Sequence, residues 1–271
     1  MWLDGAVVMK DKQGQKIVAY IEMSGGFASV EDIARVMDVS VMTVRRHLTE
    51  LEEQGSIARV RAGAIRTHQL REGDEDFTAS LKHYEDEKRA IARHAVGLVS
   101  SRQTLFLDTG STCYYVAKYL PEDKSITVIT YSLDIVSALR NRRGIRVICP
   151  GGELDSILNV FAGPQAEQTL GSFAADISLL GVGAVDLSAG TQENTIVQIP
   201  LKTLMAKNSR TSYLLADSSK LGKRSYFSAI PLAELSHVIT TTAAEAAHVE
   251  ALRRAGIEVT QASISSGTVD T

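Results

Sequence analysis

Only two cysteines occur, Cys113 and Cys149, and they form no metal-binding pattern, so neither a disulfide framework nor a zinc cage is expected. Long hydrophobic runs are absent. No stretch reaches the roughly 18 apolar residues of a membrane-spanning helix. The first residues, with a short apolar run behind Asp4, do not have the layout of a secretory signal, which gives an expectation of a cytoplasmic protein. A dominant charge sign is lacking too. The formal net charge is −3, from 29 Lys and Arg against 32 Asp and Glu, and this excludes a bulk polyanion binder. Internal repeats and low-complexity tracts are also missing. The apolar content of 44% is ordinary for a globular chain, and 271 residues suit one small and one larger domain.

The segment from Ser29 to Gly63 has the most specific pattern. A helix near residues 11–24 precedes it, with Ile17, Val18, Tyr20 and Ile21 as apolar positions and Gly25-Gly26 as its end. Ser29 and Asp32 form a variant capping box ahead of Val30, Ile33, Ala34 and Met37. Asp38-Val39 makes a turn, and Ser40 caps a second helix. On that helix Val41, Val44, Leu48 and Leu51 define a buried face, Met42, Thr43, Arg46 and Thr49 point away, and Arg45 and His47 lie on the flanks. Gly55 is a stop signal. Residues 56–60 and 64–67 pair around Ala62-Gly63 as a small wing with Arg59, Arg61 and Arg66. A helix of this kind fits a DNA major groove, where arginine pairs with guanine. Between Val39 and Thr67 five arginines face three glutamates, so DNA binding is expected as a placed contact, helped by dimerisation. The plainer alternative is a packing module with solvated arginines. The expected contacts are Ser40, Met42, Thr43, Arg45, Arg46, Thr49, Arg59 and Arg61.

Residues 69–84 are polar and acidic and read as a linker. A helix follows from Glu85 to Ser100. From Thr104 short apolar runs (TLFLD, ITVIT, IRVIC, ISLLGVG, TSYLLAD, HVIT, IEVTQA) alternate with helical stretches near 113–120, 132–140, 165–173, 199–208 and 242–255. That alternation implies an α/β domain with a mainly parallel sheet. The predicted organisation is a winged helix-turn-helix over 11–68, a linker over 69–84 and an α/β sensing domain over 85–262.

Ligands of such sheets bind at the carboxyl ends of the strands. There Asp108, Gly110, Ser111 and Thr112 form a loop before a helix, suited to a phosphate or carboxylate. Tyr131, Ser132 and Gly152 follow the next two strands, with Gly152 the more readily explained by turn geometry. Asp217 and Lys220 follow a later one, Lys220 as counter-charge and the two aspartates as partners for sugar hydroxyls. Each loop also has a purely structural reading as a cap or turn. Cys113, just after the loop, reads as a small packed residue, with thiol chemistry as the alternative.

Taken in order, Thr43-Val44-Arg45-Arg46, Glu87-Lys88-Arg89-Ala90-Ile91-Ala92, Asp108 to Thr112, Gly151-Gly152, Gly163-Pro164 and Asp217 to Lys220 resemble the DeoR family of bacterial transcription regulators over nearly the whole chain. The resemblance implies a repressor of sugar-catabolic or transport genes that binds operator DNA as a homo-oligomer. It further implies a sensor domain similar to ribose-5-phosphate isomerase and the coenzyme A transferases, responding to a phosphorylated sugar or related metabolite, with no cofactor, metal or membrane involved. It gives the anion loop to Gly110, Ser111 and Thr112, the far side of the pocket to Asp217 and Lys220, and a pocket lysine to Lys202. The chain departs from the family pattern at His47 (Asp), Arg61-Ala62-Gly63 (His-Gly-Gly), Gly181-Val182-Gly183 (Gly-Ala-Asp), Gln198 (Glu) and Tyr131-Ser132 (Asn-Ser). The alternative function is a sugar-phosphate isomerase-like enzyme with an appended DNA-binding unit, using Asp108, Asp217 and Lys220. The missing carboxylates at Gly183 and Gln198 weigh against it.

Overall fold

The computed structural model describes residues 12–23, 27–53, 57–60, 63–66 and 77–264. The chain divides into two compact units, Met1–Asp74 and Glu75–Thr271.

In the first unit α1 (Lys12–Met23), α2 (Val30–Met37) and α3 (Val41–Glu53) enclose Ile17, Ile21, Ile33, Val44, Leu48 and Leu51. The Ser29 hydroxyl accepts the Asp32 N–H at 2.9 Å and donates to the Asp32 carboxylate at 2.7 Å, so α2 starts at the predicted capping pair. Asp38 takes a left-handed conformation (φ 52°) and turns the chain into α3. The wing forms as β2 (Ile57–Val60) paired antiparallel with β3 (Gly63–Arg66). A third strand, β1 (Phe27–Ser29), was not predicted. It pairs with β3 and sets Gly63 opposite Ser29. A Cβ on Gly63 would lie 2.1 Å from the Ala28 carbonyl oxygen, so this close backbone approach requires glycine. The helix and wing endings expected at Gly25-Gly26, Gly55, Ala62 and Thr67 lie outside the described residues.

Two positions on α3 differ from the expected phase. Val41 is exposed and His47 is buried. Val44, Leu48 and Leu51 set the buried direction; at about 100° per residue His47 stands roughly 70° from it and Val41 roughly 50°. The apolar stripe is therefore broad enough to take in His47, and the exposure of Val41 follows from its place as the first residue of the helix rather than from its phase.

The second unit opens with α4 (Phe77–Lys82) and α5 (Glu85–Gly97). Part of the segment expected to be a linker is thus helical. The Phe77 ring packs edge-on to Tyr114 with centroids 5.3 Å apart, an anchor that linker composition does not reveal. Residues 69–76 lie outside the described ones. The sheet is built from β4 (Thr104–Leu107), β5 (Ile126–Ile129), β6 (Ile145–Ile148), β9 (Ala175–Leu180), β12 (Ser209–Leu215), β14 (His237–Thr241) and β15 (Glu258–Ala262). These seven strands are all parallel, in the order β15-β14-β12-β9-β4-β5-β6.

Alternate residues face two cores, as the period of two requires. Leu105, Leu107, Val128, Leu179 and Ile239 pack with α5, α6 (Ser111–Tyr119) and α7 (Leu133–Leu139). Phe106, Ile129, Leu180, Leu214 and Val238 pack with α8 (Pro164–Gly171), α9 (Ile199–Lys207) and α10 (Ala246–Arg254). The helices expected from residue 113 onward are present, with ends shifted by a few residues. The sequence reading missed the hairpin β7 (Glu153–Asp155) and β8 (Val160–Ala162). It also missed the antiparallel sheet of β10 (Ala184–Asp186), β11 (Gly190–Glu193) and β13 (Phe227–Pro231). Strands this short give periodicity too little length to register.

Candidate functional site

The first unit offers the outward face of α3. Met42 is 74% exposed, Arg45 and Thr49 are exposed, and the Arg46 side chain is 69% exposed with Glu50 3.9 Å from its Nε. Thr43 is half-buried. Ser40 accepts the Thr43 N–H at 3.2 Å and sits 2.9 Å from the Thr43 hydroxyl, so both side chains shape the helix start. The Thr49 hydroxyl donates back to the Arg45 carbonyl at 3.0 Å. Arg59 lies on β2, with only its backbone described, and Arg61 lies outside the described residues.

In the second unit the strand ends converge on a buried ion network. Lys202, projected from α9 and 1% exposed, places its Nζ 2.8 Å from Asp108 Oδ2, 2.8 Å from Glu193 Oε1 and 2.5 Å from the Gly181 carbonyl oxygen. Asp108 also accepts the Gly181 N–H at 2.9 Å and a short hydrogen bond from the Tyr131 hydroxyl. Burial disfavours the Lys202 ammonium, but the Asp108 and Glu193 carboxylates outweigh it and hold its pKa above the ordinary value. Burial raises Glu193 despite Lys202 beside it. Burial, then Asp108, raises both Tyr131 and Cys113, so Cys113 stays a thiol packed near the Leu179 carbonyl.

Three residues predicted to touch a ligand, Asp108, Tyr131 and Lys202, are thus brought together, yet they satisfy one another. Glu193 escaped the sequence reading. It adds a carboxylate to a site where Gly183 and Gln198 had suggested loss. Gly183 lies against it, since a Cβ there would meet Glu193 Oε2 at 3.3 Å.

Other predicted positions are structural. Ser132 accepts the Ile135 N–H and caps α7. Asp217 is buried and accepts from the N–H and hydroxyl of Ser219, capping the 3-10 turn Ser218–Lys220. Gly152 faces backbone, for a Cβ would lie 2.6 Å from the Ala162 carbonyl oxygen. Glu87, also unforeseen, is buried and accepts from the Ser218 N–H (2.9 Å), the Ser218 hydroxyl (2.7 Å) and the Thr241 hydroxyl (2.6 Å), tying α5 to the ends of two strands.

What stays open is the loop Thr109–Thr112 together with Lys220. Gly110 (φ 97°) begins α6 with nothing within 4 Å of a built Cβ. Ser111 and Thr112 are both 8% exposed, and the Thr112 hydroxyl makes no hydrogen bond among the described residues. Lys220 is half-buried, and its ammonium has no partner among the described residues. β4 and β12 both flank β9, so their carboxyl ends lie about 10 Å apart on the same edge of the sheet. Hydroxyls and a helix N-terminus after one strand, with a cation in the turn after another on the same side of the sheet, are the residue types that suit an anion. No group of three or more His, Cys, Asp or Glu residues suited to a metal ion occurs among the described residues, and no described helix is long and apolar enough to cross a membrane.

Beside this edge, Asp186 accepts from the Ser188 hydroxyl (2.6 Å) and N–H (2.8 Å), from Arg224 Nε (2.5 Å) and from the Ala189 N–H (3.0 Å). The Ser188 bonds foremost, with Arg224 and the Ala189 N–H, hold its carboxyl well below the usual carboxylate range. A depressed folded-state pKa contributes stability that is present above the unfolded value near 3.8 and lost as pH falls through the folded value. Asp186→Asn should flatten the fall in thermal midpoint between about pH 6 and about pH 2. A variant with an unchanged pH profile would show that Asp186 contributes nothing to acid stability.

Two family models together match most of the chain. The model of the DeoR-like helix-turn-helix domain matches residues 14–70, and that of the DeoR C terminal sensor domain matches residues 83–242. The uncharacterized HTH-type transcriptional regulator YulB of Bacillus subtilis is 33% identical over 93% of this chain and 96% of its own length. The L-fucose operon activator of Haemophilus influenzae is 34% identical over 79% of this chain and 84% of its own. Among solved structures, ribose 5-phosphate isomerase A of Methanocaldococcus jannaschii covers 50% of this chain and 54% of its own at 20% identity, with a TM-score of 0.38. An exposed helix on a winged unit, a parallel-sheet domain with an open loop at a strand end and two family matches spanning most of the sequence identify this chain as a DeoR-family transcriptional regulator, with a DNA-binding helix-turn-helix domain and a C-terminal sensor domain.

Proposed function

We propose that this regulator binds an operator of sugar-catabolic or sugar-transport genes as a cytoplasmic homo-oligomer. A phosphorylated sugar or related metabolite at the anion edge changes its operator affinity. On DNA the contacts come from Ser40, Met42, Thr43, Arg45, Arg46, Thr49, Arg59 and Arg61, within a domain spanning 11–68. In the sensor domain, 85–262, the phosphate meets Gly110, Ser111, Thr112 and Lys220, while Asp108, Tyr131, Ser132, Gly152, Lys202 and Asp217 shape and hold the loops beneath it. The observation that carries this reading is the Lys220 ammonium, without a partner among the described residues, on the same side of the sheet as the open Gly110 loop. The sugar class is supported by relatives named for sugar operons. Sensing is favoured over turnover because Asp108 and Asp217, the carboxylates available for enolisation, are engaged within the protein.

An effector changes DNA affinity only through different affinities for two arrangements of the protein. A gel shift on the protein's own upstream region, with and without sugar phosphates, tests the whole reading. No sequence-specific shift at moderate salt would sink it. Lys220→Met should weaken binding of a responsive sugar phosphate roughly tenfold, the scale of one charge-assisted hydrogen bond. Unchanged affinity would remove Lys220 from the site.

A further inference from the structure

The first described element of the sensor unit, α4, is pinned to the loop that the proposed function gives to the effector. Phe77 packs on Tyr114, and the Tyr115 hydroxyl, which donates to Glu85 at 2.9 Å, lies 3.3 Å from the Leu81 carbonyl oxygen. Buried Lys88 donates to the Ser80 carbonyl at 2.5 Å. The Ser80 hydroxyl donates to Ser111 Oγ at 3.0 Å. A serine hydroxyl has one proton to give and two lone pairs to receive. Because Ser111 accepts from Ser80, its own proton stays available to another acceptor. The neighbouring Thr112, a residue only 8% exposed, has a hydroxyl without a partner among the described residues.

We propose that Ser80 is a positioning residue for the anionic effector: by donating to Ser111 it orients the Ser111 hydroxyl to donate to the bound anion, and the occupied loop in turn holds α4 more firmly. This rests on the effector reading given above. An anion that takes the Ser111 proton polarises the hydroxyl and makes it a better acceptor for Ser80. The coupling is reciprocal, so a docked α4 also raises anion affinity. α4 is the first described element of the sensor unit, so occupancy of the loop is registered at the start of its described residues.

The test titrates inorganic phosphate, ribose 5-phosphate, glucose 6-phosphate and fructose 1-phosphate into the full chain and its Ser80→Ala and Ser80→Thr variants. It reads thermal shift and amide exchange over residues 77–82. At least one probe should stabilise the wild type and slow exchange in α4. Ser80→Ala should bind that probe roughly fivefold more weakly, the scale of one neutral hydrogen bond, and lose the slowed exchange. Ser80→Thr, which keeps the hydroxyl, should restore both. Wild-type affinity in Ser80→Ala, or exchange in α4 that ignores a saturating probe, overturns this inference and leaves the effector reading standing. A wild type that responds to none of the probes overturns both.

Discussion

Lys202→Met should destabilise the sensor domain by about 3–5 kcal/mol, enough to leave it unfolded or near its threshold at growth temperature. Methionine nearly matches lysine in length and fills the same space, so the loss is electrostatic. It strands Asp108 and Glu193, both buried, without the ammonium that now lies 2.8 Å from each. Coulomb attraction in a poorly screened interior is large, but so is the desolvation it offsets. Removing one partner is therefore much worse than never having had the group. The triple variant Asp108→Asn, Glu193→Gln, Lys202→Met removes every charge together and should recover most of the loss in urea unfolding. Should the single variant prove as stable as the wild type, the network would not hold these loops. Should the triple variant prove no better than the single one, shape rather than charge would be the cause.

Arg46→Ala should weaken operator binding by roughly tenfold to a hundredfold per half-site, the worth of one bidentate arginine–guanine pair. Its side chain is largely exposed and only loosely paired with Glu50, so truncation should leave the fold intact. Fluorescence anisotropy on specific and scrambled duplexes separates the possible roles. A loss confined to the specific duplex marks base readout, and an equal loss on both marks a phosphate contact with a shallower salt dependence. Arg46→Lys keeps the charge without the fork and should recover only the phosphate-like part. Wild-type affinity in Arg46→Ala would move recognition elsewhere on the unit.

Much of this was legible in the residues. Periodicity found the three helices of the winged unit and each strand of the parallel sheet, because those elements bury a face over several residues. Where elements are short or paired at a distance the signal failed. β1 has three residues and is stabilised by β3, so nothing local marks it, and Gly63 looked like turn chemistry rather than the close approach it is. His47 read as a flank because a narrow stripe was assumed. The sensor site was read residue by residue as a set of ligand contacts. The structure shows that Asp108, Tyr131 and Lys202 mainly hold one another. Glu193 was invisible because its partner, Lys202, lies on a later helix and no spacing rule links the two.

The order of the strands also governs the order in which the molecule is made. β4 cannot complete its pairing until β9 has been synthesised, since Leu105 lies beside Ile177. β12, β14 and β15 then extend the sheet outward one after another. The winged unit is compact within Met1–Asp74, and its elements meet over short sequence separations. A nascent chain therefore has its groove-reading helix finished while the β4 edge is still bare. Translation that halts before β9 leaves a finished winged unit joined to a half-sheet whose β4 edge is unpaired and open to other strands.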